Sequence, residues 1–138
     1  MGIRAPVMLA TAGALLAGSC ATTPAQQVQS PRAQRELADA LAGRTPGPPQ
    51  RCIPSYRSDQ MQVIDDYTIL FRHGRTVYLQ RPRGGCIGLT SGARTLVTRK
   101  FGTSDTCEGD INHLVDMPSG MQAGSCVFGP FVPYTRPG

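Results

Sequence analysis

Five cysteines carry most of the chemistry this sequence could offer, at positions 20, 52, 86, 107 and 126. The last four are separated by 34, 21 and 19 residues. No Cys-x-x-Cys pair occurs, so neither a thioredoxin-type redox site nor a zinc finger is supported. Cys20 stands apart. It follows Leu15-Leu16-Ala17-Gly18-Ser19, which resembles the bacterial lipobox, in which the Cys is acylated and becomes the new N-terminus, although Ala17 stands where the commonest form has Leu. Setting Cys20 aside for lipidation leaves an even four, which implies two disulfides in an exported domain. Three connectivities are open to four cysteines. The expected one is Cys52–Cys126, stapling the opening strand to the closing one, with Cys86–Cys107 tying a loop to a later strand. In the chain-entropy model the longer loop is worth about 4–5 kcal/mol and the shorter about 3 kcal/mol.

The remaining polar residues suggest little catalysis. The two histidines, His73 and His113, would need carboxylates such as Asp105, Asp110 or Asp116 to hold a metal. His73 sits in an apparent turn and His113 within a strand, so no metal or other cofactor is expected. Neither Thr90-Ser91-Gly92 nor Gly124-Ser125-Cys126 has the form of a nucleophile elbow. Asp65 and Asp66 are adjacent in a turn, which suits a hairpin better than acid–base work. Asp110 opens a strand, where its carboxylate can cap local N–H groups. One uneven charge feature stands out: Arg72, Arg75, Arg81 and Arg83, with His73 among them. They form the candidate anion-binding patch, fitted by their guanidinium forks to phosphates or carboxylates. The competing reading is a solvated edge whose charges deter strand-to-strand aggregation.

These residues must be positioned by a small domain. The chain has 138 residues, of which 1–19 read as a signal peptide with Arg4 as the one charge and an uncharged run from Ala5 to Ala17. That run falls short of the roughly 20 residues a membrane span needs. A plain signal cut near Ala17 or Ser19 is the alternative, leaving a soluble periplasmic or secreted protein. With lipidation, Ala21 rather than Asp after the Cys favours the outer membrane, the domain facing the periplasm. Acyl chains such as palmitate anchor stably, each buried methylene adding about 0.8 kcal/mol. Net charge is +5, or +4 without Arg4, too low for a nucleic-acid binder.

After Cys20, residues 20–29 are small and polar and read as a flexible spacer. Residues 30–43 read as a short amphipathic helix: Ser30 caps it, Pro31 opens it, Gly43 closes it, and Ala33, Leu37, Ala40 and Leu41 share a face. Residues 44–50, with three prolines, read as a linker. From 51 to 136 the period becomes two. Strands are expected at Met61–Val63, Tyr67–Phe71, Thr76–Gln80, Thr95–Phe101, Asp110–Asp116 and a broken Cys126–Tyr134, with turns at Asp65-Asp66 and His73-Gly74. Six to eight short strands predict an all-β fold, an antiparallel sandwich or small barrel stapled by two disulfides.

The segments Arg51-Cys52-Ile53-Pro54, Val63-Ile64-Asp65-Asp66-Tyr67-Thr68-Ile69-Leu70, Cys86-Ile87-Gly88-Leu89, Cys107-Glu108-Gly109-Asp110-Ile111 and Cys126-Val127-Phe128-Gly129 resemble a family of small exported proteobacterial proteins known as a domain of unknown function. Leu41-Ala42-Gly43-Arg44-Thr45-Pro46-Gly47 and Pro130-Phe131-Val132-Pro133-Tyr134 extend the likeness from about Leu37 to Arg136. Pro130 departs from the pattern, which has an acidic residue before the Phe, so no role of that acid carries over. The resemblance implies an exported four-cysteine domain and brings no activity or catalytic residue. The expected function is therefore a non-catalytic binding or structural module on a lipid anchor, contacting anionic envelope components or a periplasmic protein. An enzyme or enzyme inhibitor with a dispersed site, or a metal-binding protein, is the competing expectation.

Overall fold

Three consecutive apolar residues, Ile69-Leu70-Phe71, form the middle of a strand and are all fully buried. A strand alternates its side chains between two faces, so such a run requires cover on both. The computed structural model, which describes residues 28–100 and 102–138 together with Gly2, supplies that cover. Cys20, the signal segment and most of the spacer lie outside the described residues.

The central layer is a five-stranded antiparallel sheet. Its strands are β1 (Thr45–Pro46), β3 (Met61–Asp65), β4 (Thr68–His73), β5 (Thr76–Gln80) and β10 (Phe131–Thr135), in the order β1-β10-β5-β4-β3. One face is covered by helix α1 (Pro31–Leu41). Ser30 accepts from the Ala33 N–H at 3.2 Å, and Leu37, Ala40 and Leu41 pack with Ala33 onto Ile64, Leu70, Val77 and Leu79. A helix this short is marginal alone and gains its stability from that contact.

The other face packs on a three-stranded sheet, β6 (Arg94–Thr98), β8 (Ile111–Asp116) and β9 (Gln122–Val127), in the order β6-β8-β9. A two-stranded ribbon of β2 (Cys52–Ile53) and β7 (Thr106–Cys107) completes this layer. Ile69, Phe71, Leu114, Phe128 and Phe131 form the core between them. Phe128 and Phe131 meet edge-on, ring centroids 5.7 Å apart, and each also meets Phe71. The fold is all-β apart from α1, its sheets are antiparallel, and none closes into a barrel.

The disulfides differ from the expected pairing: they join Cys52 to Cys107 and Cys86 to Cys126. The reason is register. Cys52 and Cys107 are direct partners in the β2–β7 ribbon, with Cα atoms 4.0 Å apart. Cys126 belongs to β9, which pairs with β8 and not with β2, so it reaches inward to Cys86 instead. The expected last strand, 126–134, is two strands in different sheets, and Phe128-Gly129-Pro130 carries the chain between layers.

Residues 44–50 also depart from the linker expectation. Thr45 and Pro46 pair with Thr135 and Tyr134, and Gly47 donates to the Pro133 carbonyl at 2.8 Å. Pro133 sits inside β10 because its missing N–H faces this side, where the short β1 has already ended. Helix and domain are thus one folded unit.

Candidate functional site

The four arginines of the expected patch are not gathered. Arg72 and Arg75 flank the β4–β5 turn, while Arg81 and Arg83 follow the far end of β5. Six residues of extended chain separate Arg75 from Arg81, or about 20 Å. Arg83 is already paired with Glu108 at 2.5 Å. Arg81 lines a separate hollow with Gln29, Asp65, Asp66 and Thr90.

A different cationic group forms at the β4–β5 turn end. Thr45 pairs with Thr135, Thr135 with Thr76, and Thr76 with His73. One step further out along the three chains stand Arg44, Arg136 and Arg75, side by side across neighbouring strands. Arg72 and His73 are exposed on the next strand. Arg44 follows the C-terminus of α1, where the helix dipole favours a cation. Its Nη1 donates to the Arg75 carbonyl at 2.5 Å, and its Nε is buried without an acceptor. Partial burial, and then the charges of Arg136 and Arg72, hold the Arg44 guanidinium below its ordinary pKa. Among the described residues no ion pair reaches Arg44, Arg72, Arg75 or Arg136. Asp39, in the last turn of α1, is the nearest acid in sequence and pairs with none of them. Arg72 instead donates to Gln62, which donates to Glu36 on α1.

The sequence shows Arg72 and Arg75 as neighbours but gives no sign of Arg44 or Arg136, which lie about 30 residues before and 60 residues after them. Only the pairing of β1 with β10, and of β10 with β5, brings all four together.

Asp65 and Asp66 both serve structure. Asp65 accepts from the Tyr67 N–H and from Gln29. Asp66 crosses to the loop carrying Cys86, accepting from the N–H groups of Gly88 at 2.9 Å and Thr90 at 3.0 Å and from the Thr90 hydroxyl at 2.8 Å. Partial burial opposes its charge, yet these donors outweigh that and hold its carboxyl below the usual range.

A cavity of about 390 Å³ is lined by Arg99, Gly109, Asp110, Ile111 and His113. One Asp110 oxygen accepts from the Cys107 N–H at 2.8 Å, the expected capping role. The His113 Nδ1 is buried without a partner. His73 is exposed at the end of β4 and does not line this cavity. Among the described residues no three His, Cys, Asp or Glu side chains cluster to hold a metal ion, and no helix is long and apolar enough to cross a membrane. The two disulfides put the folded domain in an oxidising, extracytoplasmic environment. Comparison with protein-family models, with curated proteins and with solved structures finds no match to this chain.

Proposed function

We propose that this chain is an envelope lipoprotein, acylated on Cys20, held at the outer membrane and facing the periplasm, whose domain is a non-catalytic module that binds anionic envelope components. The observation that carries this reading is the register of Arg44, Arg136 and Arg75 across three neighbouring strands. Three guanidinium groups without carboxylate partners among the described residues are an electrostatic demand that an external anion meets. The extracytoplasmic setting of the disulfides supports the exported part of the reading.

Two measurements test it. Labelled palmitate should enter the wild-type chain and not Cys20→Ala, with processing blocked by globomycin. A mature N-terminus other than Cys20 would leave a plain secreted protein. Binding of the mature domain to anionic envelope extracts should weaken in an Arg75→Gln/Arg136→Gln double variant and with rising salt. Binding indifferent to both would remove the anion reading.

A second reading rests on the cavity that brings Asp110, His113 and Arg99 together. There an enzyme would use the His113 ring as its base. His113→Ala abolishing a hydrolytic activity found by substrate screening would favour it over the binding module.

A further inference from the structure

We infer that the arginine end engages a linear, carboxylate-bearing cell-wall polymer in trans, so that the domain bridges its own membrane to the wall. This rests on the lipoprotein reading above and adds an orientation and a ligand class to it.

The orientation comes from the path of the chain. Gln29, just ahead of α1, donates to Asp65 and Thr68 at 2.8 Å each, and these residues flank the β3–β4 turn. Arg44, just after α1, donates to Arg75 in the β4–β5 turn. Those turns lie at opposite ends of β4. The 11 residues of α1 span about 16 Å between them. Gln29, near the start of the described chain, therefore sits at one end of the domain, and the arginines stand at the other. A domain held by its N-terminal end presents them away from the anchoring bilayer.

The ligand class comes from the shape of the site. Arg44, Arg136 and Arg75 succeed one another across three adjacent strands, about 4.8 Å apart in the pairing direction. They make a row along the rim of the sheet, and neither the hollow beside Arg81 nor the cavity beside His113 includes any of them. An enclosed site would suit one small anion. An open row of forks suits a chain of repeated anionic groups, each met by a different guanidinium. Wall peptides carry such carboxylates on an extended polymer.

The test uses the lipidated full chain, reconstituted into dye-labelled phosphatidylcholine vesicles and mixed with purified sacculi. Vesicles should sediment with the sacculi, and capture should fall to the protein-free level for Arg44→Gln/Arg75→Gln/Arg136→Gln. Arg75→Gln/Arg136→Gln, which leaves the half-buried Arg44 in place, should lose most of the capture while keeping the wild-type circular dichroism spectrum. Arg81→Gln/Arg83→Gln should capture as wild type. If Cys20→Ala protein binds sacculi but loaded vesicles are not captured, the bridging orientation is wrong and the binding module survives. If vesicles containing phosphatidylglycerol are bound and sacculi are not, the polymer class is wrong. If neither is bound, both readings fall.

Discussion

The side-chain amide of Gln80 bonds both backbone groups of Gly129: its Nε2 donates to the Gly129 carbonyl at 2.9 Å, and its Oε1 accepts from the Gly129 N–H at 2.8 Å. Gln80 is fully buried. Gly129 lies where the chain leaves β9 for β10, too irregular to pair with a strand. A buried peptide group without partners costs about 1–3 kcal/mol for each lost bond. Gln80→Leu keeps the volume and loses both bonds, so urea denaturation should show a loss of about 2–5 kcal/mol. Gly129→Ala should also destabilise, because an added Cβ would stand 2.7 Å from the Arg81 carbonyl oxygen. An unchanged midpoint in both variants would mean that the crossing is held by the phenylalanines alone.

The disulfides make a second prediction. Non-reducing peptide mapping should recover Cys52 with Cys107 and Cys86 with Cys126. The loops close 55 and 40 residues apart, worth about 4 kcal/mol each in the chain-entropy model. Their accessibility differs: Cys86 and Cys126 are buried in the core, whereas Cys52 is exposed. Mild reductant should therefore open Cys52–Cys107 first, seen as alkylation of those two cysteines while the other pair stays protected.

Much of this fold was legible in the sequence because period-two alternation survives wherever one face is wet. The two hairpins around Asp65-Asp66 and His73-Gly74 and the strands near 95 and 111 follow from that signal. Strands β1, β2 and β7 were not legible, since two residues are too few to show a period. The disulfide pairing was hidden for the same reason: without β2 and β7 nothing sets Cys52 opposite Cys107. The site was half legible for a related reason. Arg72 and Arg75 are close in sequence, but Arg44 and Arg136 join them only through non-local pairing.

Asp66 predicts a pH dependence. Its folded pKa is lowered from 3.8, so its contribution is present above that value and disappears as pH falls through the folded pKa. Asp66→Asn keeps an acceptor and removes the charge. At pH 7 it should be less stable by about 1 kcal/mol, a figure already discounted for solvent screening. The gap to wild type should begin to close as pH drops below about 4, where the unfolded chain's carboxyl starts to take up a proton, and should vanish once the folded carboxyl is protonated as well. Hydrogen exchange at the Gly88 and Thr90 amides should quicken in the variant. A gap that stays constant with pH would assign the loss to shape and not to charge.

The arginine row predicts that the free domain carries a penalty that its ligand relieves. Arg44 is partly desolvated and faces the charges of Arg136 and Arg72, and like charges on neighbouring strands repel. Removing one of them should stabilise the unliganded protein: Arg136→Gln should raise the melting temperature at low salt. Because the groups lie at the surface, added salt should shrink the difference. A polyanion such as polyphosphate should raise the wild-type melting temperature, since a ligand that binds only the folded state stabilises it, and should do less for the variant. The two effects have opposite signs for one residue, which separates binding from packing. A side chain that merely packs would destabilise when removed, at every salt concentration and with or without polyanion. If Arg136→Gln behaves that way, the row is part of the scaffold, and the anion site must be sought elsewhere on the domain.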